Sequence, residues 1–224
     1  MFRLIKLIKF RAETSDAQRD RLAAVLHSAQ RALPQMLDCR LQTSSAGSPI
    51  IADMVWRVGF ADERGYRNCL AERAWSEIAD ALADPCVAHV DSAAFAEQSM
   101  GLGDAGLRNG FYRVLFVARL PGIDGDAITQ YEAEQRDMAR YIPQISNWGF
   151  SRVADGDGAR RWDYVWEQEF QDRADWNRAY MAHPYHWARI HRWFDPEAPE
   201  FMHDPWYALS LVPIESSLLA GGNQ

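Results

Sequence analysis

The sequence predicts a duplicated α+β domain, because it matches itself when it is shifted by 109 to 110 residues. Three pairs of segments match in the same order along the chain: Phe2-Arg-Leu-Ile with Tyr112-Arg-Val-Leu, Leu33-Pro-Gln-Met with Ile142-Pro-Gln-Ile, and Val55-Trp-Arg-Val-Gly-Phe with Val165-Trp-Glu-Gln-Glu-Phe. A repeat of this length is too long for a solenoid and has the size of a small domain. The glycine-rich segment 100–110 is the predicted linker between the two copies.

Each copy has the pattern strand, helix, strand, strand, helix, strand, which is the order of a ferredoxin-like fold. In the second copy the predicted elements are a strand at 111–120 with two apolar faces, a helix at 125–142, strands at 147–153 and 162–170, a helix at 172–194 and a strand at 205–213. Pro143 ends the first helix and Pro184 restarts the second, because proline lacks the N–H that a helix interior requires. We therefore predict halves at 1–99 and 111–216, followed by a flexible tail at 217–224.

Composition and charge argue against several classes of function. The net charge of −7 leaves no basic stripe for phosphates, so we expect no nucleic-acid partner. The three cysteines are an odd number without a CxxC motif, which fits a reducing cytoplasm better than a disulfide framework. No apolar run approaches the roughly 18 residues of a membrane span. We interpret the lysine-interrupted residues 1–10 as a strand rather than a signal peptide.

The segment from Tyr180 to Phe194 is the strongest functional signal in the chain. Six of its side chains fall within a sector of roughly 120° on a helical wheel: His183, His186, Trp187, Ile190, Trp193 and Phe194. Histidines on such an apolar face are either satisfied in the core or face a cavity. The second half also holds seven of nine tryptophans, seven of eight tyrosines and four of six histidines, which indicates that it is the working half.

The pattern Tyr180-x-x-His183-Pro184-x-His186, placed after a strand and before a final strand, resembles the stress-responsive dimeric α/β-barrel (Dabb) family. The resemblance covers nearly all of 111–214 and, more weakly, 2–98. It implies that two ferredoxin-like units pack sheet to sheet as an α/β barrel, which one chain supplies here as an internal pseudo-dimer; a further homodimer stays open. The first half lacks the motif, since Leu70, Arg73 and Ser76 stand at the corresponding positions. One site per chain follows.

The second half resembles the olivetolic acid cyclase-like members of that family, which close a ring by aldol chemistry without metal or cofactor. The resemblance implies that His186 is the general acid/base, Tyr180 its hydrogen-bonding partner and His183 a support. The family cyclase also carries histidines on two strands, where this chain offers Tyr112 or Val114 and, on the other strand, Tyr164. The resemblance therefore supports the fold better than it supports that reaction.

Aromatic side chains of the second half predict a pocket for a planar or apolar substrate. The expected substrate-binding residues are Tyr164, Trp166, Trp187, Trp193 and, at the rim, His203. A tryptophan-rich core is the alternative. Glu167 and Glu169 share one strand face; we expect them to pair with arginines such as Arg113 or Arg119, although either carboxylate is a possible base.

We predict no metal and no cofactor. His183 and His186 with His203 or Asp204 form a conceivable ligand set, but the HExxH spacing is absent and no carboxylate accompanies the histidine pair. GxGxxG, P-loop and GxSxG motifs are absent as well, so nicotinamide, nucleotide and acyl-enzyme chemistries have no support.

Three functions remain. The leading hypothesis is a cofactor-independent lyase, cyclase or isomerase that moves protons next to a carbonyl of an aromatic or polyketide-like small molecule. The second is a stress-responsive binding protein without turnover. The third is a cofactor-free monooxygenase.

Overall fold

The structure, a computed structural model, describes residues 1–44, 51–156, 158 and 160–223. The first half forms, in order, β1 (Phe2–Phe10), α1 (Asp16–Ala32), β2 (Asp38–Thr43), β3 (Met54–Phe60), α2 (Glu63–Leu70), α3 (Arg73–Leu82) and β4 (Val87–Ala96). Its four strands make one antiparallel sheet in the order β2-β3-β1-β4. This strand order and connectivity are those of a ferredoxin-like unit.

The second half repeats the arrangement with one additional strand. Its elements are β5 (Ser99–Leu102), β6 (Arg108–Arg119), α4 (Gly125–Tyr141), β7 (Asn147–Arg152), β8 (Tyr164–Phe170), π-helical segments at Asp175–Tyr180 and His186–Ile190, a 3-10 turn at His191–Trp193, β9 (His203–Ser216) and a last 3-10 turn at Ala220–Asn223. The strand order is β5-β7-β8-β6-β9. The predicted α+β class with two ferredoxin-like halves is confirmed. None of the helices in the described ranges has the length and hydrophobicity that crossing a bilayer requires.

Matching helices of the two halves begin and end for the same local reasons. In α4 the Asp124 carboxylate accepts the N–H of Asp126 at 3.1 Å, and in α1 the side chain of Gln18 accepts the N–H of Ser15 at 3.0 Å. Both helices end two residues before a proline, because the residue that precedes the proline is disfavoured in the helical conformation. The repeated Ile-Pro and Leu-Pro dipeptides therefore mark equivalent points.

The structure shifts the sequence repeat by one residue in the first strand. Phe2 pairs with Phe60 in the first half, and Phe111 pairs with Phe170 in the second. Phe2 thus corresponds to Phe111, not to Tyr112, since a slip of one residue moves every side chain to the opposite face. By the same register, the counterpart of Leu4 is Arg113.

The two sheets pack face to face inside one chain. The core between them draws on both halves and includes Ile5, Leu7, Val55, Tyr112, Val114 and Phe116. The implied barrel does not close: in the described parts of the chain, isolated bridges from Ile51 to Leu209 and from Ala94 to Asp155 are the links outside the named strands. β6 is covered on its other face by the helices of its own half, as its two apolar faces predicted.

Glu167 pairs across the interface between the sheets, and the expected pairing with Arg113 or Arg119 is wrong. Its carboxylate accepts the Arg57 Nε–H at 3.1 Å and the Tyr112 hydroxyl at 2.7 Å. The cause is the strand alternation, which points Glu167 at the opposite sheet and Arg113 at the helices. Arg119 instead binds Asp163 at 3.0 Å.

Two segments expected to be irregular are ordered by contacts with the second sheet. Ser99–Leu102 pairs with β7, and a Cβ at Gly101 would collide with the Trp148 indole, which explains a glycine there. After β9, the Glu169 carboxylate accepts the N–H groups of Leu218 and Leu219 at 2.6 and 3.1 Å, and both leucines are buried. The start of the predicted tail therefore belongs to the core.

Candidate functional site

The helix that carries the histidine motif is interrupted where the sequence predicted. His183 Nδ1 accepts the N–H of Tyr185 at 3.1 Å, so the side chain supports the restart of the helix at Pro184. The segments on both sides are π-helical, a rare geometry that is frequent at functional sites. His183 itself does not line the cavity described next.

A cavity of about 440 Å³ lies between this helical layer and the outer face of the second sheet. The sheet contributes Arg113, Leu115, Trp166, Leu209 and Leu211, and the helical layer contributes Tyr131, Gln135, Trp176, Tyr180, His186 and Phe194. Ile51 of the first half completes one wall. The lining is mainly apolar and aromatic with a few polar groups, which is the composition of a small-molecule site.

His186 and Tyr180, two of the predicted catalytic residues, meet in this cavity. Their ring centroids lie 4.8 Å apart at 60°, and the Tyr180 hydroxyl makes no hydrogen bond to His186. Burial lowers the pKa of His186 to about 4, and the charges of Arg113, His191 and His183 act in the same direction. The imidazole is therefore neutral near pH 7, and its Nδ1 has no protein partner within the described ranges.

Arg113 is a cavity residue that the sequence interpretation assigned to an ion pair. It is 8 % exposed, its Nη1 donates to the Gln168 side-chain oxygen at 2.7 Å, and its guanidinium lies 5.5 Å from the centroid of the Tyr180 ring. Its place in the cavity could have been inferred from strand alternation. Arg113 lies on the same face of β6 as Phe111, Leu115 and Val117, and both faces of that strand are covered.

Unpartnered buried polar atoms concentrate at the cavity. Five residues that line it have such an atom among the described residues: Arg113 Nε, Gln135 Oε1, Trp166 Nε1, Trp176 Nε1 and His186 Nδ1. A buried polar atom without a partner costs about 1–3 kcal/mol, so folded proteins rarely cluster them without a use. The cluster therefore marks a place where a ligand can supply hydrogen bonds.

Two of the predicted tryptophans do not reach the cavity. Trp187 is 55 % exposed, because the π-helical turn from His186 to Ile190 departs from the 100° spacing that placed it on the apolar face. Trp193 is buried, but its Nε1 donates to the Glu134 carboxylate at 2.8 Å and it packs in the core behind the wall. Trp166 is the predicted tryptophan that does line the cavity.

Tyr164 and His203 also lie outside the cavity lining. The Tyr164 hydroxyl donates to the Glu132 carboxylate at 2.9 Å, and burial together with that bond raises the pKa of the phenol. His203 is 0 % exposed, stacks on Phe194 at 4.4 Å between ring centroids, and lies 3.3 Å through Nδ1 from the Ala118 carbonyl oxygen. Both support the wall from behind. No group of three potential metal ligands occurs in the part of the chain that the structure describes.

The family is identified by the second half. Residues 111–202 match the family model described as Stress responsive A/B Barrel Domain, so this half is a domain of the Dabb family, as its motif indicated. Domains of this family bind small molecules and typically dimerise. No protein with a curated description matches the chain.

Three solved structures with the same fold match over nearly the whole chain. An anthrone oxidase-like protein is 10 % identical with a TM-score of 0.69, over 95 % of this chain and 90 % of its own. A chlorite dismutase variant from Candidatus Nitrospira defluvii is 12 % identical with a TM-score of 0.55, over 98 % and 92 %. A candidate monooxygenase from Lactobacillus acidophilus NCFM is 9 % identical with a TM-score of 0.52, over 94 % and 92 %. These likenesses show the fold.

Proposed function

We propose that the cavity binds a planar aromatic or polyketide-like small molecule, and that His186 moves a proton next to its carbonyl group without a cofactor. The observation that carries this proposal is a neutral imidazole with an unpartnered nitrogen, placed beside Tyr180 and Arg113 in an apolar cavity. Cyclisation, isomerisation and retro-aldol cleavage all use such a step.

The arrangement assigns a role to each group. The His186 imidazole accepts the proton from carbon, and the oxygen of the resulting enolate receives hydrogen bonds from the Arg113 guanidinium or the Tyr180 hydroxyl. Donors aimed at a developing oxyanion act more strongly in an apolar site than in water. A positioned acid or base contributes on the order of 10²–10⁴ in rate. His183 then acts through the helix that positions His186.

Hydrogen–deuterium exchange tests the proton transfer without knowledge of the natural substrate. Anthrone is a planar carbon acid, and exchange of its C10 protons in D2O under nitrogen is followed by NMR. We expect the wild-type protein to accelerate exchange and His186→Gln to lose about 10²–10⁴ of that acceleration. His27→Gln, an exposed histidine on α1, is the matched control. Acceleration that survives in His186→Gln would remove this residue from the mechanism.

A cofactor-free monooxygenase is the second candidate, and the anthrone oxidase-like and monooxygenase-like neighbours favour it. Oxidation of an anthrone takes up one O2, forms the C10 carbonyl from one oxygen atom and the two C10 hydrogens leave with the other as water. This reaction starts with the same deprotonation. Oxygen consumption in stoichiometric proportion to anthrone supports oxygenation, whereas turnover of a substrate under strict anaerobiosis excludes it.

A binding protein without turnover is the third candidate. It is supported by the small-molecule binding of the Dabb family and by the five unpartnered polar atoms, which a ligand satisfies without chemistry. Saturable binding of anthrone with no acceleration of exchange would favour this function over the first two.

We also propose that residues 1–99 and 111–216 are the two domain halves and that the chain acts in the cytoplasm. Because the halves already pack sheet to sheet, the internal pair replaces the dimer of the family. Light scattering during gel filtration distinguishes a 25.6 kDa monomer from a homodimer of twice that mass.

A further inference from the structure

Among the residues that the structure describes, Arg113 is a buried cation without an anionic partner. Three arginines are buried in the described part of the chain: Arg3, Arg57 and Arg113. Arg3 binds Glu97, and Arg57 binds Glu167 with Asp38 nearby at 3.6 Å. In the described residues Arg113 binds only the neutral amide of Gln168. Burying a charge is costly unless it is paired, so this exception calls for an explanation.

The surroundings of Arg113 are as unusual as the residue itself. None of the described side chains that line the cavity carries a carboxylate. Unpartnered hydrogen-bond donors outnumber acceptors there by three to two: Arg113 Nε and the indole nitrogens of Trp166 and Trp176 donate, while Gln135 Oε1 and, in the proposed reaction, His186 Nδ1 accept. A donor-rich, cationic and mainly apolar cavity complements a ligand with oxygen acceptors and negative charge.

We infer that the ligand of this cavity is an aromatic molecule that carries an anionic oxygen, a carboxylate or an ionised enol, and that Arg113 is the residue that binds it. The inference rests on the proposed site. The aromatic body lies against Trp166 and Trp176, and the anionic oxygen pairs with the guanidinium, which completes the ion pair that the protein leaves open. This assignment makes Arg113 the residue that distinguishes anionic from neutral ligands.

A matched pair of probes tests this assignment. 2-Naphthoate and 2-naphthamide have nearly the same shape and differ in charge, and their binding is measured by calorimetry and by quenching of tryptophan fluorescence. We expect the wild-type protein to bind naphthoate at least about tenfold more tightly than naphthamide, the range of one buried charge-assisted contact. Arg113→Met should abolish the preference by weakening naphthoate binding, and Arg113→Lys should retain part of it.

The control is Arg119→Met, on the same strand but paired with Asp163 outside the cavity lining, and it should keep the full preference. Unchanged naphthamide affinity in Arg113→Met shows that the cavity is intact. Equal affinities for the two probes in the wild type, an unchanged ratio in Arg113→Met, or binding of both probes weaker than about 1 mM would overturn the inference.

The outcome is separable from that of the proposed reaction, because naphthoate has no acidic C–H and binds without proton transfer. A lost charge preference together with His186-dependent exchange of anthrone refutes the anionic ligand and leaves the reaction standing. A charge preference that depends on Arg113, without exchange, keeps the ligand class and refutes the proton transfer.

Discussion

The two halves differ most at one place in their shared fold, the layer between sheet and helices. In the first half Leu4 is buried in the same apolar cluster as Trp56, whose indole stacks on Trp75 of α3 at 6.0 Å between centroids. In the second half the counterpart of Leu4 is Arg113, and the same layer contains the cavity. The same scaffold thus accommodates a filled layer and an open one.

The helical segments account for the difference. In the first half α2 and α3 are regular helices that place Trp75 and Ile78 on the sheet. In the second half Pro184 interrupts the helix, and the flanking segments are π-helical. The helical layer of the first half is also divided, after Leu70, but its two segments are regular α-helices whose side chains fill the layer. The π-helical segments of the second half leave space that His186 and Tyr180 border. The comparison teaches that the proposed site lies in the half whose layer is not filled by side chains.

Leu4→Arg places a guanidinium in the filled layer of the first half, at the position that corresponds to Arg113 in the second. We expect it to lower the free energy of unfolding by about 4 kcal/mol or more, because the guanidinium is buried in a packed apolar core. Urea unfolding measures the change, and Leu4→Met, expected to cost less than about 1.5 kcal/mol, is the control. A loss below about 1 kcal/mol would mean that the first half has a comparable cavity.

Arg57→Leu and Arg113→Leu compare the loss of unfolding free energy on removing a buried arginine that has an anionic partner with the loss on removing one that has none among the described residues. Arg57→Leu strands the buried Glu167 carboxylate and should cost about 3–5 kcal/mol of unfolding free energy. Arg113→Leu installs the residue type of the first half. It strands the Gln168 oxygen, at a cost of about 1–3 kcal/mol, but it also removes a buried charge without a counter-ion, so the net loss should be no more than about 1 kcal/mol. Equal losses would show that Arg113 is a structural residue like Arg57.

Acid should destabilise the protein through His203. Burial lowers the pKa of His203 to about 4, below the 6.5 of an unfolded histidine, so the unfolded chain binds the proton first. Its contribution is fully present above pH 6.5 and is lost as the pH falls towards 4, by roughly 3 kcal/mol at most. The free energy of unfolding of His203→Asn, measured in urea, should vary less with pH in this window than that of the wild type. Parallel curves of this free energy against pH would show that His203 does not cause the acid destabilisation.

The smallest effects are expected on the exposed face of the helix. Trp187→Ala should change the free energy of unfolding by less than about 0.5 kcal/mol and leave naphthoate affinity unchanged. Trp176→Phe deletes an unpartnered indole N–H of the cavity and should weaken naphthoate binding about threefold to tenfold. If Trp187→Ala weakened naphthoate binding more than Trp176→Phe does, the ligand would lie on the other side of the helix.

The fold was predictable because its signals are local and repeated: the matching segments, Pro143 and Pro184, and the strand–helix order. The one-residue error at Phe2 and Tyr112 arose because a strand with two apolar faces does not reveal its register.

The site was predictable only in part. The motif singled out His186 and Tyr180, and both line one cavity. Trp187 was misplaced because a π-helical turn has no clear sequence signature, and Arg113 was missed because its exceptional state depends on the pairing of Glu167 with Arg57 in the other half. Such a pair forms only when the two sheets pack together, so local sequence patterns do not reveal it.

A crystal structure of the protein with 2-naphthoate tests most directly the claim that the ligand site lies between the sheet and the helices of the second half, and not at the matching place in the first. We predict one molecule in the second half, with its carboxylate within about 3 Å of the Arg113 guanidinium, its rings against Trp166 and its edge towards His186. A naphthoate bound beside Leu4 in the first half, or one in the second half with its carboxylate turned away from Arg113, would contradict the claim.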